Sequence, residues 1–583
     1  MADPIHEKTD RVNLVYRTMV GNSMQEIELP FRLLVLADFS CNQASADIAD
    51  QEPIALGSAR ADSLYLRYRP EISIRVKNVL LDGGDELDVH HAITSIDSFH
   101  PQSILQEARP FTGLLRFVTN LGDIVQHGSG SVVFDDAAYG EIIRDMLSAE
   151  GISVEQLDQQ KDNLGWLVSS LERRIALQMD EVLHHPDFMR MEAAWRSLEF
   201  LLQRTDFSEN CEIAVLNVSK AALMDDFEDS PEVVRTQYYH VVYTSEFGQF
   251  GGRPYAAIIA NYEFGPRSQD IRLLQRIASV AAIAHAPFIA AASAEFFSVD
   301  TYAKFSKLRD IRAIFEQPAY AKWNSFRESQ DARYIGLTLP SFLLRKPYEA
   351  GIGPLDYRET VSRGLECMLW GNSAFALATR LLDSFARYRW CLNVTGKDDG
   401  LVEGLSVSGV AGDNMRTGKI PTQILLTDKR EAEVVAQGFI PLSVHKGDDT
   451  AAFYSAYSTY RIQNENRDAN DLAERLGAQI PYLMIVSRIS HYIKMMQREH
   501  IGSWKNRHDI DQELNNWLRQ YVSDMDNPAP GVRGRRPLRR AEIKVREVEG
   551  KEDWFLTKIQ ITPHIKYMGS QFTLSETSKL EKA

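Results

Sequence analysis

From Ile277 to Ala294 the chain runs eighteen residues without a formal charge. That stretch decides first whether the chain belongs in a bilayer or in water. Its length is at the lower edge for a spanning helix, which needs about 20 apolar residues. It is rich in alanine, however, and carries His285 and Pro287 in its middle. Proline removes a backbone donor and clashes with the preceding turn, so a helix stops before Pro287. The stretch reads as a buried helix followed by a strand, and no membrane insertion is expected.

Other segments follow the same logic. Glu28 to Asp38 reads as a buried strand, with Pro30 tolerated near its start. Ile72, Ile74 and Val76 alternate with Ser73, Arg75 and Lys77, the pattern of a half-buried strand, and Leu87–Ile93 reads as another. Gln102 to Ile124 reads as helical, with Leu114, Leu115, Val118 and Leu121 on one face. Helices are expected over 136–149, 154–184, 269–285, 369–388 and 473–497, the last interrupted by Pro481; strands are expected over 212–218 and 254–261. The fold class expected is α/β, a mixed α+β chain.

The two ends look like strands. Val12, Leu14 and Tyr16 alternate with Asn13, Val15 and Arg17, and Gly21-Asn22-Ser23 follows as a turn or linker. Near the other end Ala541, Ile543 and Val545 form one alternating run, and Phe555, Thr557, Ile559 and Ile561 a second. Glu549-Gly550-Lys551 lies between them, so a hairpin is expected. The tail from Ser570 is polar and expected to fray. His127–Ser131 and Pro528–Gly531 are the strongest breaks.

Composition and motifs narrow the chemistry. A net charge of −15 argues against a general nucleic-acid binder, which needs a basic footprint. The cluster Arg533, Arg535, Arg536, Arg539 and Arg540 fits an acidic neighbouring subunit better than nucleic acid. Four scattered cysteines, Cys41, Cys211, Cys367 and Cys391, form no CxxC pair and suit a reducing cytoplasm. The polar start MADPIHEKTD has no apolar leader core. Gly396-Lys397 and Gly418-Lys419 lack the Ser/Thr of a phosphate loop, and Gly248–Gly252 reads as a turn. The pairs His90-His91 and His184-His185 point in divergent directions, and His491 and His500 show no HExxH. No nucleophile elbow is present. The expectation is a protein with no cofactor, no metal and no catalytic role.

Several long runs carry a resemblance. LHHPDFMRMEAAWRSL, FGGRPYAAIIANYEFG, YAKWNSFRESQDARYIGLTLPSFLLRKPY (Tyr320–Tyr348), SRISHYIKMMQREHIGSW and PLRRAEIKVREVEGKEDWFLTKIQITPHI resemble the large subunit of the bacterial type VI secretion contractile sheath, from about Ala176 onward. RVNLVYRTMVGNSMQEIELPFRLLVLADFS, PEISIRVKNVL and ITSIDSFHPQSILQ resemble the small sheath subunit. The family's two subunits are usually separate chains; here they are joined. The expected layout is a small-subunit-like domain over 1–126, a linker and helical segment over 127–175, a large-subunit-like core over 176–527 and a terminal hairpin and tail over 528–583.

The resemblance implies contractile-sheath core domains of the phage tail-sheath type with peripheral exchanged β-strands. Exchange would use Val12–Val20, Ala541–Val548 and Trp554–Ile561, so the residues expected at the contact are Val12, Leu14, Tyr16, Ala541, Ile543, Val545, Phe555, Ile559 and Ile561. Gly21, Asn22 and Ser23 would serve as the hinge. The partners implied are further copies of the chain in a helical polymer, an inner tube protein, baseplate components and a AAA+ unfoldase for disassembly, all in the bacterial cytoplasm. Residues 136–157, where an unfoldase would act, do not match the family's segment clearly. The alternative is a sheath-like adaptor or cap, at the baseplate or distal end, that binds a separate two-chain sheath.

Overall fold

The computed structural model describes residues 11, 14–20, 23–40, 48–57, 61–80, 86–127, 140–149, 151, 164–249, 251–349, 355, 357–361, 364–407, 420–444, 449–462, 474–499, 507–525, 536–547, 554–563 and 574–581. Val12, Gly21, Asn22, Cys41, His500, Arg533, Arg535, the turn Glu549–Lys551 and the breaks at 128–131 and 528–531 lie outside the described residues.

β1 (Tyr16–Val20) and β2 (Ser23–Ile27) pair antiparallel, with Val20 opposite Ser23. β3 (Phe31–Ala37) and β4 (Ile54–Leu56) follow, then a hairpin of β5 (Glu71–Lys77) and β6 (Glu86–Ala92). The next helices are α1 (Pro101–Glu107), α2 (Phe111–His127), α3 (Gly140–Ala149), α4 (Leu164–Leu183) and α5 (Pro186–Gln203). The middle of the chain contributes β7 (Cys211–Asn217), β8 (Tyr255–Phe264), α6 (Ser268–Ala284), β9 (Phe288–Ala292), β10 (Ile335–Leu339), α7 (Ser373–Tyr388) and β11 (Ile440–Pro441). The last main elements are α8 (Ile480–Glu499), α9 (Arg507–Arg519), β12 (Leu538–Glu547), β13 (Trp554–Pro563) and β14 (Leu574–Glu581).

Seven strands form the central sheet in the order β11-β10-β9-β8-β3-β7-β4. Neighbours run parallel except β4, which is antiparallel to β7. A parallel sheet is covered on both faces, so its strands are continuous apolar runs. In β3 every residue is buried: Leu33 and Val35 enter one core and Leu34 and Leu36 the other. β7 splits the same way, with Ile213 and Val215 on the first face and Ala214 and Leu216 on the second. β3, from the first tenth of the sequence, therefore sits in the interior of a sheet otherwise built mainly from residues beyond 210.

Helices cover each face. α4 and α5 lie over the first core, where Gln178 bridges to the first part of the chain through Val79 N (2.7 Å) and Lys77 O (2.9 Å). Trp195 stacks on Tyr65 at 3.9 Å and donates to Phe39 O at 3.1 Å. α6 covers the second core with Ile271, Leu274, Ile277 and Ala278. It ends at His285 in the left-handed region (φ 53°), whose amide reaches back to Ala281 O and Ala282 O. β9 follows Pro287, so the uncharged stretch is the helix and strand expected of it. No described helix is long and apolar enough to cross a membrane.

Three expectations change. The stretch 102–124 is two helices, because Pro110 offers no donor and restricts the residue before it; Ala108 is already extended (ψ 138°). The run 473–497 is interrupted, but ahead of the proline: a helical turn over 474–477 ends before α8 begins, and Pro481 lies in the first turn of α8, where no intrahelical donor is required. The tail expected to fray contains β14, paired antiparallel along β13 from Leu574↔Ile561 to Glu581↔Trp554. A polar strand is held there by main-chain bonds, which need no apolar side chains.

Candidate assembly interface

The residues singled out at the two ends of the sequence converge on one apolar cluster. Leu14 (1% exposed), Tyr16 (3%), Ile543 (1%), Val545 (4%), Ile559 (0%) and Ile561 (0%) all belong to it, and Ala541 packs against it. Phe555 lies in β13 opposite Glu547. The platform is α8 and α9, which supply Ile485, Ile489, Tyr492, Ile493, Leu514, Trp517 and Leu518. Because these strand side chains are already core, only main-chain edges and exposed positions remain for a neighbour.

The N-terminal segment is strapped down by aromatic hydroxyl and indole groups. Tyr492 donates from Oη to Leu14 O (2.7 Å) and accepts from Leu29 N (2.9 Å). Trp517 Nε1 donates to Val15 O (2.8 Å), and Tyr521 Oη both donates to Val15 O and accepts from Val15 N at 3.0 Å. Arg488 donates to Leu29 O at 2.9 Å. Burial pushes the Tyr492 hydroxyl up to about 12, so it stays a protonated donor. Beyond Tyr16 the hairpin leaves this cover: Ser23 to Glu26 are exposed, Met24 by 66%. Of the hinge residues, the described one, Ser23, is the first residue of β2.

α8 also closes the end of α6. The last carbonyls of a helix lack intrahelical donors. Lys494 Nζ donates to Ile283 O at 2.5 Å, and His491 Nε2 lies 3.0 Å from Ala284 O. Burial lowers Lys494 to about 7 and His491 to about 3.

The segment Tyr320–Tyr348, one of those that carry the resemblance, ends in a buried ion network in the body of the molecule. Arg345 bonds Glu192 (2.8 Å) and Glu359 (2.7 Å), Arg196 bonds Glu192 (2.7 Å), and His184 meets Glu359 (3.1 Å). Burial alone would raise the Glu359 carboxyl, but His184, Arg345 and the Tyr348 amide together hold it below its usual value. His185 caps α5 and His91 bonds Ser98 O, so the histidine pairs have structural partners. Among the described residues no group of three His, Cys, Asp or Glu is placed to hold a metal.

Sequence reasoning missed α9. Its signal was present as apolar residues at helical spacing, Ile510, Leu514, Trp517 and Tyr521. Asp511 and Asn515, one turn apart, reach the main chain of β12: Asn515 accepts from Ile543 N (3.0 Å) and donates to Ile543 O (2.8 Å), and Asp511 accepts from Val545 N (3.0 Å). No periodicity in the sequence reports such bonds.

Comparison with known proteins follows the same division. Family models match in series: type VI secretion system VipA over residues 6–156, the VipB tail sheath N-terminal domain over 166–460, and the VipB tail sheath gpW/gp25-like domain over 469–580. The type VI secretion system sheath protein TssC1 of Pseudomonas aeruginosa is 36% identical over 427 residues, spanning 72% of this chain and 86% of that protein. A chain from the six-fold symmetrised anti-feeding prophage baseplate aligns over 67% of this chain and 78% of its own, at 10% identity and TM-score 0.30, too slight a likeness to carry an argument. Strand β3 lies within the VipA match and its neighbours β7 and β8 within the VipB match, and this chain belongs to the type VI secretion sheath family, as a structural sheath protein with both subunits in one polypeptide.

Proposed function

We propose that this single chain is a complete sheath protomer. It polymerises with its own copies into a helical sheath around an inner tube protein in the bacterial cytoplasm, docks on baseplate components, and contracts to propel the tube and its effectors outward. It has no catalytic role, and of its partners a AAA+ unfoldase acting in disassembly has the least support, since residues 136–157 do not match the family's segment clearly. The observation that carries this reading is the place of β3: Leu34 pairs with Ala214 of β7 on one side and Ile258 of β8 on the other. A sheet that needs both family parts makes the fused chain the unit of assembly, and fusion fixes their one-to-one ratio.

In the proposed layout 1–126 is the small-subunit-like part, 127–175 the connection, 176–527 the core and 528–583 the terminal hairpin and tail. Neighbours are joined through the strands at Val12–Val20, Ala541–Val548 and Trp554–Ile561, with Gly21–Ser23 as the hinge. A strand on a short connector pairs with a neighbour's edge through main-chain bonds, and a repeated contact that does not close gives an open helix. The test is to express the chain alone and view it by negative-stain electron microscopy. Hollow tubes support the protomer reading; monomers or closed rings overturn it.

A further inference from the structure

α5 presents Glu199, Phe200, Gln203 and, as its C-cap, Arg204 to a pocket of about 240 Å³, bounded on the other side by Leu344 and Ser406. That volume is below the ~300–1,000 Å³ of sites for drug-sized molecules, so an occupant is small. Glu199 accepts a bond from Gln203 Nε2 at 2.9 Å and pairs with no Lys, Arg or His among the described residues. Arg204 lies over the Phe200 ring, 3.9 Å from its centroid, and donates from Nη2 to Glu403 O (3.2 Å) and Gly404 O (3.4 Å). It pairs with no carboxylate among the described residues, Glu199 included. Arg196, which also lines the pocket, is engaged by Glu192 at 2.7 Å.

Unpaired charges are ordinary on an open surface, but these two are half-buried in a concavity. A cation suits the C-terminal end of a helix, which accounts for Arg204. An anion one turn from that end is disfavoured, so α5 gives no reason for Glu199. Burial, and then the Arg380 guanidinium, pull Arg204 below its ordinary pKa, a direction that an added carboxylate would reverse. A guanidinium takes a carboxylate bidentately, and a carboxylate takes an ammonium. Residues 199 and 204 are about 7.5 Å apart along a helix axis. Two hydrogen bonds of ~2.9 Å each, with the ~2.5 Å between nitrogen and carboxyl carbon of an α-amino acid, cover about the same distance.

We propose that this pocket binds a free α-amino acid, its carboxylate on Arg204 and its ammonium on Glu199. Ser406 Oγ is committed to Leu344 O at 3.3 Å, so Glu199, Gln203 and Arg204 are the recognising groups. Ile96 also lines the pocket and falls within the VipA match, whereas α5 falls within the VipB match. A bound amino acid therefore sits against both family parts. The inference is independent of the sheath reading above and stands or falls without it.

The test uses the full chain, with thermal melting and isothermal titration calorimetry. Glycine and L-leucine are the probes. Acetate, ethylammonium and glycylglycine, which carry one charge or space the two farther apart, are the controls. A saturable rise in melting temperature is expected with the α-amino acids and not with the controls. Arg204→Met and Glu199→Gln, each shown to fold by its own melting curve, should weaken the affinity about tenfold or more. If Arg204→Met does not fold, Arg204→Lys, which keeps the charge but loses the planar fork, is read for the same loss. No saturable response to either α-amino acid at millimolar concentration overturns the inference. So does an equal response to any control, an affinity unchanged in the variants, or a high-resolution map in which protein fills the pocket.

Discussion

The central sheet and the terminal sheets use strands in opposite ways. β3 is buried on both faces and paired on both edges, so its seven residues leave nothing for another molecule. β1 and β2 have one partner each and an exposed second strand, and β14 pairs only with β13 among the described strands. The first region converts apolar sequence into a closed core; the second converts alternating sequence into edges. A subunit that polymerises needs both, and this chain separates them. Its middle forms the two-faced core, while residues of its first and last strands come together on α8 and α9.

The comparison breaks most visibly at β3. Leu34→Asp places a carboxylate in a core with no partner, costing ~5 kcal/mol or more. We expect no folded soluble protein; a variant with an unchanged melting curve would show that β3 is not essential to the sheet. Next is Arg345→Ala, which removes the cation shared by two buried carboxylates and leaves Glu192 with Arg196 and Glu359 with His184 and the Tyr348 amide. The expected loss is ~3–5 kcal/mol by denaturant titration, and a loss below the range of an exposed ion pair would mean that water enters the network.

A smaller and local effect is expected at the strap. Tyr492→Phe removes the bonds to Leu14 O and Leu29 N, at ~1–3 kcal/mol. Hydrogen exchange at the Leu29 amide should accelerate while amides of β3 stay protected. Equal acceleration in both regions would contradict their separation. The smallest effect, taken over one pH unit, comes from His491. Its folded form stays neutral to about 3, whereas the unfolded residue takes a proton below its usual value of 6.5. The unfolded state then binds more protons, so stability falls as pH drops from 6.5 toward 3, by up to ~1.4 kcal/mol per unit. His491→Gln, compared with the parent by melting at pH 6.5 and 5.5, should lose that share of the slope.

Legibility in the sequence followed the source of each signal. Strands β5 and β6 alternate buried and exposed along their whole length, and that alternation is visible in Ile72, Ile74 and Val76. The uncharged run 277–294 was readable because Pro287 allows one boundary. The place of β3 between β7 and β8 was not, since pairing between residues nearly 200 positions apart leaves no local trace. The meeting of Leu14 and Tyr16 with Ile543 and Ile559 in one cluster has no periodic signature either; family resemblance brought those two ends to attention. The α9 contacts were missed because one carboxylate and one amide replacing a strand look, in sequence, like any polar helix face.

The account's central claim is that one chain holds both halves of a sheath subunit and lends its terminal strands to other copies. A high-resolution cryo-electron microscopy map of tubes grown from the full chain tests it most directly. The account predicts β3 between β7 and β8 of the same chain, and a terminal sheet extended by a strand from a neighbouring copy. Tubes in which each terminal sheet is built from one chain alone would contradict it.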